Sequence, residues 1–319
     1  MNRTFIVFLF LLLPGLLPAQ KNITGRLIGP GDLSAHDFCL TNNGKLIYIA
    51  ADDGIFLYEI ENLELIRKWS YPGDAVIQSL VVSRDGTLMA AGSRDGRLFI
   101  QDLRGDSFSV IKCSEKQITS VDMVKYANVL VAGTMDGEII RLDTAGNILH
   151  RYREQKNLLT RVVLNPAGNI LMSSSIDGKI VFLDLEKDLV LSSEELKTKP
   201  SLDATVNLRI RNLLTAESGS LYHWLVGYDY KRTKLNRYFM NGLVTGVDIT
   251  PEGDAWAACS VNGKILVHTN VCLYSAKIKG IILNRIRFIR ADNRILYLVV
   301  ATEKNGVRLV STMDMKILQ

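Results

Sequence analysis

The chain has 319 residues, 47% of them hydrophobic and 22% charged. That balance excludes global disorder and leaves ample apolar material for a large core. The net charge of +5 with histidine neutral is a mild excess spread over a large surface, and it offers no concentrated basic face for nucleic acid.

The N-terminal segment differs in kind from the rest. Arg3 gives a positive start, Phe5 to Leu13 is an unbroken apolar run, and Pro18-Ala19-Gln20 follows. This is the three-part pattern of a secretory signal peptide over 1–19, with cleavage after Ala19. The apolar stretch of about 14 residues falls short of the roughly 20 needed to span a bilayer. No later segment is apolar for long enough, so residues 20–319 carry no expected transmembrane span. Cys39, Cys113, Cys259 and Cys272 fit no metal motif and read as unpaired structural cysteines.

From there the chain repeats. A glycine closes the turns Asp52-Asp53-Gly54, Arg94-Asp95-Gly96, Met135-Asp136-Gly137 and Ile176-Asp177-Gly178. It also closes Glu217-Ser218-Gly219, Val261-Asn262-Gly263 and Lys304-Asn305-Gly306. Successive glycines are 42, 41, 41, 41, 44 and 43 residues apart. Asp-Gly and Asn-Gly between apolar runs mark β-hairpins, because glycine takes positive φ without steric cost. A β-rich run ending in small residues precedes each turn, as in Leu88-Met89-Ala90-Ala91-Gly92, and a second run follows it, as in Leu98-Phe99-Ile100-Gln101-Asp102. Another run lies about 15 residues upstream, and a fourth, such as Leu63 to Trp69, ends the unit. Four short antiparallel strands per unit, seven times over, predict an all-β fold: one seven-bladed β-propeller. The blades fall at 34–74, 75–115, 116–155, 156–197, 198–240, 241–281 and 282–319.

The N-terminal run at 22–29 has the register of an outer strand ahead of the first unit. It is expected to complete the last blade and close the ring, with Met315 to Gln319 competing for that slot. The fifth unit is the most degenerate, with no clear first hairpin turn.

These residues resemble the WD40-repeat family of propellers, over about residues 34–319. The second unit carries the resemblance best, in Ser83-Arg84-Asp85-Gly86, Ala91-Gly92-Ser93-Arg94-Asp95-Gly96 and Ile100-Gln101-Asp102. The Trp-Asp and Gly-His signatures are absent, so the family's buried His–Ser–Asp–Trp network is not implied for this chain. The resemblance implies a protein-interaction scaffold that contacts partners on the face carrying the turns.

The residues themselves show no catalytic motif: no Gly-x-Ser-x-Gly elbow, no phosphate loop, no His-Glu-x-x-His. The four histidines, His36, His150, His223 and His268, fall in different units. Neither a cofactor nor a resident metal is expected. The turn residues Asp53, Gly54, Asp95, Gly96, Asp136, Gly137, Asp177, Gly178, Gly219, Asn262, Gly263, Asn305 and Gly306 read as structural, with Asp accepting a backbone amide two residues on. A polar column lies 18 residues before each glycine: His36, Gln78, Thr119, Thr160, Ser201 and Thr245, with Asn284 or Arg285 nearest in the seventh unit. With the turn tips Arg94, Met135 and Ile176, it is the expected partner-binding surface. The partner is expected to be another exported or envelope protein, in the periplasm or outside the cell. Two other readings remain open. Asp122 and Asp248 share an offset of 15 residues from their glycines and could hold an ion in an axial channel, as in hydrolytic propellers. The aromatic and basic stretch Tyr222 to Phe239 could bind glycans or acidic peptides.

Overall fold

Short apolar runs broken by Gly, Asn, Asp and Ser cannot build helices, but they suit short antiparallel strands. In a computed structural model, which describes residues 23–291, 295–302 and 305–317, they form seven antiparallel sheets in a ring. The leader expected at 1–19 lies outside the described residues. The first blade shows the plan, with strands Ala35–Leu40, Leu46–Ala51, Gly54–Glu59 and Leu65–Trp69 in order from inside to outside. The other six innermost strands are Ile77–Val82, Ile118–Val124, Leu159–Leu164, Ser201–Asn207, Val244–Ile249 and Leu283–Ala291. Helical structure among the described residues is confined to two short 3-10 turns, Lys125–Ala127 and Thr312–Asp314.

Both faces of a blade must be apolar, because each packs on a neighbour. The buried side chains accordingly divide into wedges between blades rather than one central core. One wedge joins Ala90, Leu98 and Ile100 of the second blade to Ile118, Val121 and Leu130 of the third. Another joins Ile47, Ile49 and Phe56 of the first blade to Val299, Val307 and Leu309 of the seventh. The small residues ending each second strand follow from this geometry. A Cβ on Gly92 would stand 2.3 Å from Ile118 Cγ2, on the inner strand of the next blade. Bulk there would force the blades apart.

The ring closes through the N-terminal strand, as its register implies. Arg26–Ile28 pairs antiparallel with Val307–Ser311, Arg26 opposite Leu309 and Ile28 opposite Val307. The C-terminal segment takes a different place. Lys316–Ile317 adds a fifth strand to the sixth blade, with Ile317 opposite Tyr274 and Lys316 opposite Ser275. The two termini therefore do not compete. The fifth blade keeps its hairpin by other means: Asn207 accepts the amide of Arg209 at 3.1 Å, and Arg211 supplies the positive φ.

Candidate functional site

The polar column occupies one structural position in most blades. Every innermost strand carries a β-bulge against its neighbour, and the extra residue is His36, Gln78, Thr119, Thr160 or Thr245 in five of the blades. In the fifth blade it is Leu202, so Ser201 lies one residue off the column. In the seventh it is Asn284, and Arg285 turns into the ring instead. A bulge re-aims a side chain, and here it aims several across the seams. Thr119 Oγ1 donates to Leu159 O at 2.5 Å, Thr245 Oγ1 donates to Leu283 O at 2.5 Å, and Gln117 Nε2 donates to Gln78 Oε1 at 3.0 Å. Thr160 shares a hydrogen bond with Ser174, and His36 Nε2 lies 2.7 Å from Asp52 Oδ1. Thr119, Thr160 and Ser201 are buried, at 9%, 7% and 0% exposure. Thr119, Thr245 and Gln78 are thus engaged at the seams, whereas Thr160 and His36 bond within their own blades.

The turn tips remain at the surface. Arg94 and Met135 are exposed, Met135 at 51%, and Ile176 is half-buried. Their backbones are fixed, since the N–H groups of Arg94, Met135 and Ile176 donate to Val76, Gln117 and Leu158 O. Below them Asp95 accepts the Arg97 amide at 3.2 Å and Asp177 accepts that of Lys179 at 2.9 Å, two residues on as expected. Asp136 instead accepts the Thr134 hydroxyl, and Asp53 pairs with Lys68 at 2.6 Å. Gly54, Gly96, Gly137, Gly178, Gly219, Gly263 and Gly306 all have positive φ.

The axis is the part that the sequence concealed. Beyond each bulge, alternate residues of the inner strand face the channel. The first layer is Asp37, Ser79, Ser120, Arg161, Asp203, Gly246 and Arg285, each paired just past the bulge. The second layer is Cys39, Val81, Asp122, Val163, Thr205, Asp248 and Arg287, and it lines a cavity of about 320 Å³.

An innermost strand is a sheet edge, so its free N–H groups need acceptors. The preceding blade supplies them. Asp37 accepts the amide of Leu80, Ser79 that of Val121, Ser120 that of Val162 and Asp122 that of Leu164. Asp203 accepts the amide of Val247, and Asp248 that of Phe288. The fourth and seventh blades place arginine at this position, and ion pairs take over. Arg161 Nε lies 4.0 Å from Asp203 Oδ1, and Arg285 Nε lies 3.7 Å from Asp37 Oδ1. Arg285 Nη1 also reaches within 3.3 Å of Asp203 Oδ1 at an angle too poor for a hydrogen bond. Asp122 and Asp248 do share a layer, each with one carboxylate oxygen committed to the next blade's amide. Among the described residues no group of three or more His, Cys, Asp or Glu could hold a metal ion.

Burial alone would raise the Asp37 pKa, but Arg285, Arg161, Arg287 and the Ser79 hydroxyl outweigh it and hold the carboxyl below its ordinary value. Burial dominates at Asp122 and Asp248 and pushes both upward, against backbone hydrogen bonds and Arg161 and Arg287. Burial and the Arg287 guanidinium push Arg161 down to about 10. The signs oppose. The Asp37 contribution to stability is present above the unfolded pKa of about 3.9 and is lost as pH falls through its lower folded value. The Asp122 and Asp248 contributions are present below that unfolded value and are lost as pH rises through their higher folded values. Carbon-detected NMR titration is expected to order the three midpoints with Asp37 lowest. Asp37 titrating with or above Asp122 would contradict this account.

The aromatic stretch of the fifth blade is already engaged. Arg232 lies over Trp224 at 4.6 Å, Arg237 over Phe239 at 4.4 Å and Arg211 over Tyr228 at 4.2 Å. Trp224 Nε1 donates to Thr215. Each guanidinium lies over one face of its ring, and Tyr228 and Phe239 remain 89% and 68% exposed.

The family model described as WD domain, G-beta repeat matches residues 64–102. That span runs from the outer strand of the first blade through the third strand of the second, Arg97–Asp102. The protein is a WD40-like β-propeller. No curated protein matches the chain. The match falls on the copy whose turn Asp95 accepts from the Ser93 hydroxyl and from the Arg97 amide and side chain. Propellers of this family are typically non-enzymatic and serve as protein-interaction scaffolds.

Proposed function

We propose that this WD40-like propeller is exported and acts outside the cytoplasm as a non-enzymatic scaffold, binding another exported or envelope protein on the face that carries the Asp-Gly turns. The observation that carries the reading is the pair of neighbouring tips, Arg94 and Met135, exposed on backbones that hydrogen bonds hold rigid. A flexible apolar side chain on one tip and an arginine on the next are residue types found among interface anchors. The seams and the channel, by contrast, spend their polar groups on holding the ring together. The four cysteines are free, and burial raises the Cys39 and Cys113 thiols to about 11 and Cys259 to about 12. Thiols kept protonated in this way are slow to oxidise, which suits an oxidising compartment.

Cross-linking in native cells followed by purification tests the reading. The wild-type chain is expected to recover one envelope protein in stoichiometric amount, and Met135→Asp to reduce that recovery about tenfold, the loss typical of one anchor. The mature chain is expected to begin at Gln20. Recovery of a bare monomer, or of a cytosolic chain still carrying residues 1–19, would defeat it.

A further inference from the structure

An outer strand of a blade is a sheet edge, open to pairing with any extended chain. This ring blunts most of its edges. The outer strands of the first, third, fourth and fifth blades each carry a bulge, at Ile66, Leu149, Leu191 and Leu235. The outer strand of the seventh is only three residues long. Two of the longer outer strands are unbulged. One is Leu273–Lys277 of the sixth blade, and it is the strand to which Lys316–Ile317 has added. The other is Phe108–Lys112 of the second blade, and no fifth strand pairs with it among the described residues.

Phe108–Lys112 has the properties of a receiving edge. It reads Phe-Ser-Val-Ile-Lys, with no charge before Lys112, and Phe108 and Val110 are 41% and 44% exposed. Asp102 N donates to Ser107 O and Cys113 N to Gly96 O. In an antiparallel ladder that alternation turns Ser109 and Ile111 toward the third strand. The backbone N–H and C=O of Phe108, Val110 and Lys112 therefore point away from the blade. Phe108 is anchored edge-on against Tyr71, with centroids 5.6 Å apart.

We propose that the outer edge of the second blade is a strand-addition site, which takes an extended, uncharged segment of a partner protein with apolar residues at alternate positions. The sixth blade shows what such an edge accepts: a short segment with Met315 buried beside the added strand. An edge uncharged over four residues favours an equally uncharged occupant, since a charge set against it would be desolvated without a counter-ion. This site runs along the outer rim, meeting the Asp95-Gly96 turn only at its Lys112 end, and its test does not depend on the partner proposed for the turn tips.

A phage-displayed library of random dodecapeptides, panned against the full chain, tests the proposal. Recovered peptides are expected to alternate apolar residues and to protect the Val110 amide from hydrogen exchange. Val110→Pro removes one outward N–H and no hydrogen bond to the third strand, so the blade is expected to stay folded. It should weaken synthetic copies of those peptides about tenfold, the cost of one lost backbone bond plus its neighbour's. Val110→Lys, with its N–H intact, should weaken them similarly by placing a charge on the apolar side. Failure to enrich any peptide, or enrichment of peptides insensitive to both variants, overturns the proposal. So does a dimer that both variants dissolve in sedimentation, which would make a second copy the occupant.

Discussion

Asp203→Ala is expected to destabilise the ring by about 3–5 kcal/mol at neutral pH, the cost of breaking a buried ion pair from one side. The carboxylate is wholly buried and serves two seams at once. It accepts the amides of Ala204 at 3.0 Å and Val247 at 3.1 Å, and it faces Arg285 at 3.3 Å and Arg161 at 4.0 Å. Alanine would leave two amides without acceptors and two guanidiniums short of a counter-ion. Adding Arg285→Met should recover part of the loss, because the double variant removes a stranded charge. Urea denaturation measures both. A single-variant loss below about 1 kcal/mol would mean that water in the channel substitutes for the carboxylate.

Gly96→Ala is expected to cost about 3 kcal/mol or more, from positive-φ strain of about 1–3 kcal/mol and a steric clash of similar size. Gly96 sits at φ +81, and a Cβ there would stand 2.0 Å from Ser114 O and 2.7 Å from Lys116 O. Both are backbone atoms of the loop leading to the third blade, which cannot swing aside as a side chain could. Gly86→Ala is the matched control in the same blade. Its φ is +68 and nothing lies within 4 Å of the added carbon, so about 1 kcal/mol of backbone strain is all that is expected. Equal midpoint shifts in urea for the two variants would show that φ alone decides the cost.

The architecture was legible because its signal repeats. A turn glycine seven times over, flanked by period-two runs, leaves little choice of fold. Ring closure was legible in the register of Ile23 to Ile28, since an unpaired run that matches an outer strand must find the one blade lacking one. The channel was legible only in part. Asp122 and Asp248 stood out through their shared offset. Asp203 and Arg285 did not, because they lie 16 and 21 residues before their glycines where Asp37, Ser79, Ser120 and Arg161 lie 17. A one-residue shift in the fifth unit and a longer first hairpin in the seventh moved them out of line. The bulge was invisible for a different reason. Thr119 looks like a solvated strand end in sequence, and only pairing shows that its extra residue of backbone aims it into the seam. The flat edge at Phe108–Lys112 likewise depends on what is missing from its pairing, which no residue type spells out.

Closure by the N-terminal strand also decides how the molecule responds to mechanical load. Arg26 lies opposite Leu309 and Ile28 opposite Val307, so a pull on the two ends of the chain acts at the same end of that pairing. The strands separate one rung at a time, like a zip, instead of shearing all their bonds together. The two rungs formed by Lys316 and Ile317 on the sixth blade stand first in line on the C-terminal side. Tension therefore has a built-in order of release, the added strand and then the closing strand. The ring opens at its seventh blade, while the Asp-Gly hairpins, whose ends are not on the line of force, stay intact.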